Sequence, residues 1–214
     1  MRGVFSPDIR IIVPDMPQPG IALPEIILAS ASPRRAELLQ QIGARFQLMP
    51  VDIDESLNPG ESSIDFVMRL ACEKARAGAQ RAKLKSLDYP VLGADTIVEL
   101  EGEILGKPEN PTQAREMLGK LSGKTHQVHT AIALVTHGPP LTALSTSVVE
   151  FGELTQADIE HYVDSGEPLD KAGSYAIQGV AAQFVKSLSG SYSGVMGLPL
   201  YETAQLLKTC HGSR

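Results

Sequence analysis

The run VLGADTIVEL at residues 91–100 constrains the fold of this chain more than any other stretch. It is β-branched and apolar and reads as the strongest strand in the sequence. Asp95 stands inside it. A carboxylate in an apolar strand is costly unless it is paired, hydrogen-bonded or metal-bound, so Asp95 is a candidate base or metal ligand. The alternative is an aspartate that bonds nearby backbone. Glu101-Gly102 then reads as a turn, with Ile104-Leu105 as the return strand.

The rest of the chain alternates between strand and helix patterns. Residues 26–29 form a short apolar run that reads as a buried strand. Ser32 reads as a helix N-cap, Pro33 as the first helical position, and Leu38, Leu39 and Ile42 as the inward stripe before Gly43. Residues 46–53 alternate like a strand. Ser62 and Asp65 resemble a capping box, opening a helix with Ile64, Val67, Met68, Ala71 and Ala75 on its apolar face. Asn110-Pro111 opens another helix, which ends at Gly123. Long strands are expected near 126–136 and 143–153, and Thr155 with Asp158 caps a helix that stops at Gly166. Residues 175–178 and 184–188 read as short strands, and a last helix follows Pro199. The paired strands at 91–105 and 126–153 are hairpins, which favours a mixed α/β sheet over a fully parallel one.

Residues 1–24 carry five prolines and read as an irregular leader, in which residues 11–13 add at most a short strand. Residues 25–214 then form one domain, within the ordinary size for a chain of 214 residues. Such a chain buries a core without disulfides. Cys72 and Cys210 are far apart and lack metal-ligand spacing, consistent with a reducing compartment. No stretch reaches the ~18 apolar residues of a membrane span, and no signal-peptide core is visible, so a cytoplasmic location is expected. The formal net charge of -6 and the 5% aromatic content argue against nucleic acid or an anionic membrane as partner.

Several segments carry chemistry. Ser30-Ala31-Ser32-Pro33-Arg34-Arg35 lies where a strand delivers the chain to a helix N-terminus, a ready anion site with free N–H groups and the positive end of the dipole. Arginines in that first turn oppose the dipole, which points to a bound anion; the alternative is an ordinary cap with solvated arginines. Asp52-Ile53-Asp54-Glu55 is an acidic cluster suited to Mg²⁺, or a solvated loop. Lys74 and Lys107 are candidate phosphate contacts, or snorkelling surface lysines. Gln178, after an apolar run, carries an amide able to read a base edge. The loop Gly190-Ser191-Tyr192-Ser193-Gly194 precedes a helix and either walls a pocket or connects elements. His126 and His129, three apart on a strand, point to opposite faces and are not a metal pair. Ser30 and Ser32 lack a local histidine partner, so neither is a nucleophile.

Taken in order, Ser-Ala-Ser-Pro-Arg-Arg at 30–35, Asp54-Glu55, Glu73-Lys74-Ala75, Gly93-Ala94-Asp95-Thr96, Gly106-Lys107-Pro108, Leu121-Ser122-Gly123, Tyr175-Ala176-Ile177-Gln178-Gly179 and Gly190-Ser191-Tyr192-Ser193 with Gly197-Leu198-Pro199 resemble the Maf family of nucleoside triphosphate pyrophosphatases. The resemblance runs from about Ile26 to Leu207. It implies an elongated mixed sheet with flanking helices and a cleft between two lobes, similar to inosine triphosphate pyrophosphatases. It also implies metal-dependent hydrolysis between the α- and β-phosphates, with Mg or Mn as the cation. By the same resemblance Asp95 is the proton acceptor, and Ser30, Arg35, Lys74 and Lys107 face the phosphates. Glu55 is associated with the metal, and Arg34, Thr96 and Gln178 with base choice. Gly-Ala-Asp-Thr and Ala-Ile-Gln-Gly resemble the dTTP/UTP branch. The alternatives are 7-methyl-GTP or modified pyrimidine nucleotides, or a nucleotide-binding regulator of septum formation with little turnover. Gly194 stands where the family often has asparagine. A homodimer is compatible with the sequence but not specified by it.

Overall fold

The computed structural model describes residues 11–12 and 23–210. In chain order the elements are β1 (Ile11–Ile12), β2 (Ile26–Leu28), α1 (Pro33–Gln41), β3 (Phe46–Leu48), α2 (Ser63–Leu84), β4 (Val91–Leu100) and β5 (Glu103–Leu105), followed by α3 (Pro111–Leu121), β6 (Thr125–Val135), β7 (Leu141–Phe151), α4 (Gln156–Asp164), β8 (Val185–Ser189), α5 (Tyr192–Met196) and α6 (Leu200–Thr209). Short 3-10 turns at Glu167–Asp170, Ala172–Ser174 and Val180–Phe184 fill the link between α4 and β8.

The eight strands form one mixed sheet in the order β1-β3-β2-β4-β6-β7-β8, with β5 also paired to β4. β4 runs parallel to β2 and antiparallel to β6, and the hairpins β4–β5 and β6–β7 form as their turn residues require. Glu101 and Gly102 both have positive φ, at 53° and 85°, the conformation a two-residue hairpin loop needs to match strand twist. Of the expected short strand in the leader, Ile11–Ile12 pairs antiparallel with Phe46 and Gln47; Val13 and the rest of the leader up to Ala22 lie outside the described residues.

One feature of β4 positions everything that follows. Along one edge it pairs with β6 from Val91 to Glu99. Along the other it meets β2 only at Val91–Leu92 and β5 only at Val98–Leu100. Among the described residues, 93–97 have no strand on that side, and the sheet opens there.

Side chains alternate across a strand, so β4 sends Gly93, Asp95 and Ile97 to one face and Ala94, Thr96 and Val98 to the other. α2 covers the first face. Its Phe66, Val67, Leu70, Ala71 and Ala75 pack with Ile97, Ala131 and Ala133. The second face is shared. α1 and α6 cover Leu92, Ala94, Ile132 and Leu134, while α3, α4 and the loops after α4 cover Val98, Leu100 and Val128. The break between these two cores falls opposite the open edge of β4.

Three sequence expectations need correction. The strand read over residues 46–53 ends at Leu48, because β2 offers partners only from Ile26 to Leu28. Ile64 was expected on the buried stripe of α2, but it is 45% exposed and Phe66 and Leu70 take its place. Ile64 lies in the first turn of α2, and the buried residues of the helix begin only at Phe66. Residues 175–178 were expected as a strand, but they form an irregular segment between two 3-10 turns, buried up to Ile177 and exposed at Gln178. Tyr175, Ala176 and Ile177 are all buried, so apolar character came from burial in a loop, where the Ala176 N–H finds the Tyr162 hydroxyl and not a strand partner. The helix caps stand where they were read, although Ser62 and Asp65 make only half of the expected capping box and Ser32 caps without a side-chain bond. Ser62 accepts from Asp65 N–H, Asn110 from Gln113 N–H, and Thr155 with Asp158 makes a full capping box.

Candidate active site

A cavity of about 550 Å³ opens at the unpaired edge of β4. Its walls include Ser30, Arg34, Arg35, Glu55, Lys74, Asp95, Thr96, Lys107 and Gln178, so all nine sequence-derived candidates converge there. They come from the β2–α1 turn, the loop before α2, the middle of α2, the centre of β4, the turn after β5 and the loop after α4.

One wall is built on α2. Gly93 lets the helix lie against the strand: a Cβ at Gly93 would come within 2.5 Å of the Ala71 carbonyl oxygen and of the Ala75 nitrogen. That close approach brings Lys74, the residue before Ala75, down onto Asp95. Lys74 Nζ lies 2.6 Å from Asp95 Oδ1 and 2.6 Å from Glu55 Oε1. The side chains of Lys74 and Asp95 are mostly buried, at 12% and 9% exposure. One ammonium therefore serves two carboxylates. Burial raises the Glu55 pKa, but the Lys74 hydrogen bond and charge, helped by Lys107 and Arg35, outweigh it and hold the group below its ordinary value.

Asp52 and Asp54, the other acids of the cluster, are not on the cavity wall. Asp54 Oδ1 instead accepts from Ser56 N–H at 2.9 Å, which shapes the loop. Arg69 on α2 ties that loop down, donating to both carboxylate oxygens of Glu61 and to the Ser56 carbonyl.

The opposite wall is built on the β2–α1 turn. Ser32 caps α1 without a side-chain hydrogen bond, and the first turn holds no acid. Ser32 N–H donates to Ser30 Oγ at 3.1 Å. Arg35 donates to three neutral oxygens: Gly197 O at 2.8 Å, Ser30 Oγ at 3.3 Å and Thr96 Oγ1 at 3.3 Å. No carboxylate pairs with it among the described residues. Its pKa is lowered, first by burial and then by Arg34, against the opposing pull of Asp95 and Glu55. A desolvated guanidinium with only neutral partners is poised for an anion.

The hydroxyl chain behind Arg35 has a fixed direction. Thr130, fully buried on β6, donates its one proton to Gly194 O at 2.7 Å. Its contact with Thr96 Oγ1, at 3.0 Å, must therefore be an acceptance, so Thr96 donates to Thr130 and accepts from Arg35. The Thr96 proton is committed within the protein. Thr130 escaped sequence reading because a threonine in an apolar strand looks like ordinary β-propensity.

Arg34 turns the other way, 3.9 Å from Asp170 Oδ2, and Asp170 is also bonded by Lys171. Lys107 and Gln178 are exposed side chains facing the cavity. His126 and His129 do sit on opposite faces of β6, as their spacing required. His126 bonds Tyr175 and His129 bonds Thr146, each at 2.9 Å. Among the described residues the hydroxyl of Ser30 bonds only the Ser32 N–H and Arg35, and neither Ser30 nor Ser32 bonds a histidine. The loop 190–194 folds partly into α5, whose Gly194 carbonyl closes the Thr130 contact.

Fold and cavity together define a mixed α/β protein with a charged cleft at a split in its sheet, acids and lysine on one wall and arginines on the other. Residues 25–210 match the family described as Maf-like protein, and the chain belongs to the Maf family. Over 190 residues it is 52% identical to a dTTP/UTP pyrophosphatase of Methylobacillus flagellatus, covering 89% of this chain and 94% of that one. Over 190 residues it is also 53% identical to the dTTP/UTP pyrophosphatases of Escherichia coli O157:H7 and of Escherichia coli K12, covering 88% of this chain and 94% of each relative.

Proposed function

We propose that this protein hydrolyses nucleoside triphosphates, with dTTP and UTP as substrates, to the nucleoside monophosphate and pyrophosphate. The observation that carries the reading is the facing pair of walls: Arg35 held by neutral oxygens alone, across from two carboxylates that share Lys74. A triphosphate supplies the anion that Arg35 lacks. The choice of thymine or uracil rests on the relatives named dTTP/UTP pyrophosphatase.

In this reading the β2–α1 turn, Arg35 and Lys107 bind phosphate oxygens. Phosphate binding draws Lys74 toward the new charge and leaves Asp95 to accept a proton from water attacking the α-phosphorus. The water oxygen bonds to phosphorus, the bond to the bridging oxygen breaks, and pyrophosphate leaves with the electron pair. Because the Thr96 proton is committed to Thr130, Thr96 acts through Arg35 and does not donate to the base. Base contact then falls to Gln178 and Arg34.

Glu55 is a hard oxygen donor and fits Mg²⁺ or Mn²⁺ completed by phosphate oxygens and water, which leaves Asp95 as the base. Among the described residues no group of three acidic, histidine or cysteine ligands forms a dedicated cage. When bound with substrate, the cation supplies charge neutralisation at the phosphates. Residues 25–214 act as one catalytic unit behind a leader at 1–24, with a homodimer as the assembly to look for. No described helix is long and apolar enough to cross a membrane, and the two free cysteines suit a reducing cytoplasm.

The test is pyrophosphate release from a panel of nucleoside triphosphates, with Mg²⁺ and with chelator. Metal-dependent release from dTTP and UTP is expected, with Asp95→Asn slower by at least about 100-fold. Binding without release by the wild-type protein refutes the hydrolase reading in favour of a nucleotide-responsive regulator. Preferential release from 7-methyl-GTP refutes the base assignment alone.

A further inference from the structure

Among the described residues the loop that carries Gln178 has no strand partner, yet it must hold an amide steadily at the cavity wall to tell one base from another. Its fixation comes from two side chains outside the cavity. Tyr162, on α4 and 1% exposed, accepts a hydrogen bond from Ala176 N–H at 3.2 Å. The same hydroxyl donates to Glu167 Oε1 at 2.8 Å. The other oxygen, Glu167 Oε2, accepts from Val180 N–H at 3.2 Å. Between these anchors Gly179 N–H closes a turn on Ala176 O at 3.0 Å, with Gln178 at its third position. The residues two before and two after Gln178 are thus pinned to one hydroxyl–carboxylate pair.

The fit around the carboxylate is close. A Cβ on Gly179 would lie 2.3 Å from Glu167 Oε1, so this turn accepts only glycine there while Glu167 keeps its place. Gly179 has a negative φ of -103°, so the requirement is one of space and not of backbone conformation. Burial and the Glu167 bond push the Tyr162 pKa well above its ordinary range, which keeps the hydroxyl a donor throughout the working pH range. Asp170, at the far end of the 3-10 turn that Glu167 begins, faces Arg34. Both side chains assigned to base contact therefore hang on the turn Glu167–Asp170.

We propose that Tyr162 and Glu167 are positioning residues for base selection, acting through Gln178. This rests on the reading of Gln178 as a base contact. Loosening the pair leaves the phosphate walls intact but lets the amide sample orientations that no longer favour one base edge.

The experiment measures kcat/KM for dTTP, UTP, dCTP and GTP with wild type, Tyr162→Phe, Glu167→Gln and Gln178→Ala, each with its urea midpoint. The expected result is a selectivity ratio, dTTP over dCTP, reduced about tenfold in Tyr162→Phe and Glu167→Gln, the scale of one lost hydrogen bond, and reduced in Gln178→Ala as well. A role in stability alone lowers all four nucleotides by the same factor. Uniform loss in the first two variants, with selectivity lost only in Gln178→Ala, overturns the proposal and leaves Gln178 as the base reader. Unchanged selectivity in Gln178→Ala overturns the reading of Gln178 and the proposal with it. Should Glu167→Gln fail to fold, Gly179→Ala displaces the same carboxylate from the opposite side and is expected to show the same selectivity loss.

Discussion

Replacing Gly93 by alanine tests whether the contact between α2 and β4 builds the acid–lysine wall. The added methyl would stand 2.5 Å from the Ala71 carbonyl oxygen, 2.5 Å from the Ala75 nitrogen and 2.9 Å from the Ala75 Cβ. Two of these three atoms are helix backbone, which cannot rotate aside. Ordinary contact begins near 3.4 Å, so α2 must retreat from the strand by about 0.9 Å, the difference between 3.4 and 2.5 Å. Overpacking of this kind costs about 1–3 kcal/mol, and backbone that cannot yield puts this site toward the upper end. Burial of one methyl returns less than ~1 kcal/mol. The same retreat carries Lys74 away from Asp95 and stretches a 2.6 Å contact past hydrogen-bond length. Gly93→Ala is therefore expected to lose about 2 kcal/mol in urea unfolding at constant m-value, and most of its turnover. Far-UV circular dichroism should show the fold retained. A variant within about 0.5 kcal/mol of wild type, with full turnover, would refute the premise that this close approach sets the catalytic geometry.

Thr130→Val keeps the shape of the side chain but strands the Gly194 carbonyl and frees the Thr96 hydroxyl. Unfolding should show a loss of about 1–3 kcal/mol, and kinetics a raised KM through Arg35, with Thr130→Ser restoring both. Equal KM values in the valine and serine variants would show that the hydroxyl chain does not hold Arg35. His126 is 2% exposed, and burial lowers its pKa from 6.5 to about 4. The unfolded chain thus binds a proton that the folded one refuses between pH 6.5 and about 4. Stability should fall with falling pH across that window by up to about 3 kcal/mol, and His126→Gln should flatten the slope of the urea midpoint against pH. An unchanged slope in that variant would assign the acid sensitivity to other groups.

Much of this molecule was legible because local chemistry and tertiary context agreed. Ser62, Asn110 and Thr155 cap where their side chains can reach orphan N–H groups, whatever lies further away. Asp95 declared itself by being a carboxylate in an apolar strand. The failures came where burial was non-local. Tyr175 and Ile177 are apolar because a loop is packed inside, a condition that periodicity cannot separate from a strand. The supports of the site were invisible for the same reason. Thr130 is 34 residues from Thr96, and Glu167 works by reaching across a turn to Val180, 13 residues on. Neither carries an unusual residue type, so only the fold reveals that they bear on Arg35 and Gln178.

The five-residue gap on one side of β4 also bears on self-association. An unpaired strand at the margin of a sheet invites another chain to add to it, and proteins protect such margins with charge, proline or a covering helix. Residues 93–97 are a margin placed in the interior of the sheet. β2 and β5 already occupy the strand on either side, so an invading strand would have to displace one of them to extend its ladder. The gap thus admits a small guest at Asp95 and Thr96, which line the cavity, while offering too short a margin to template a second polypeptide.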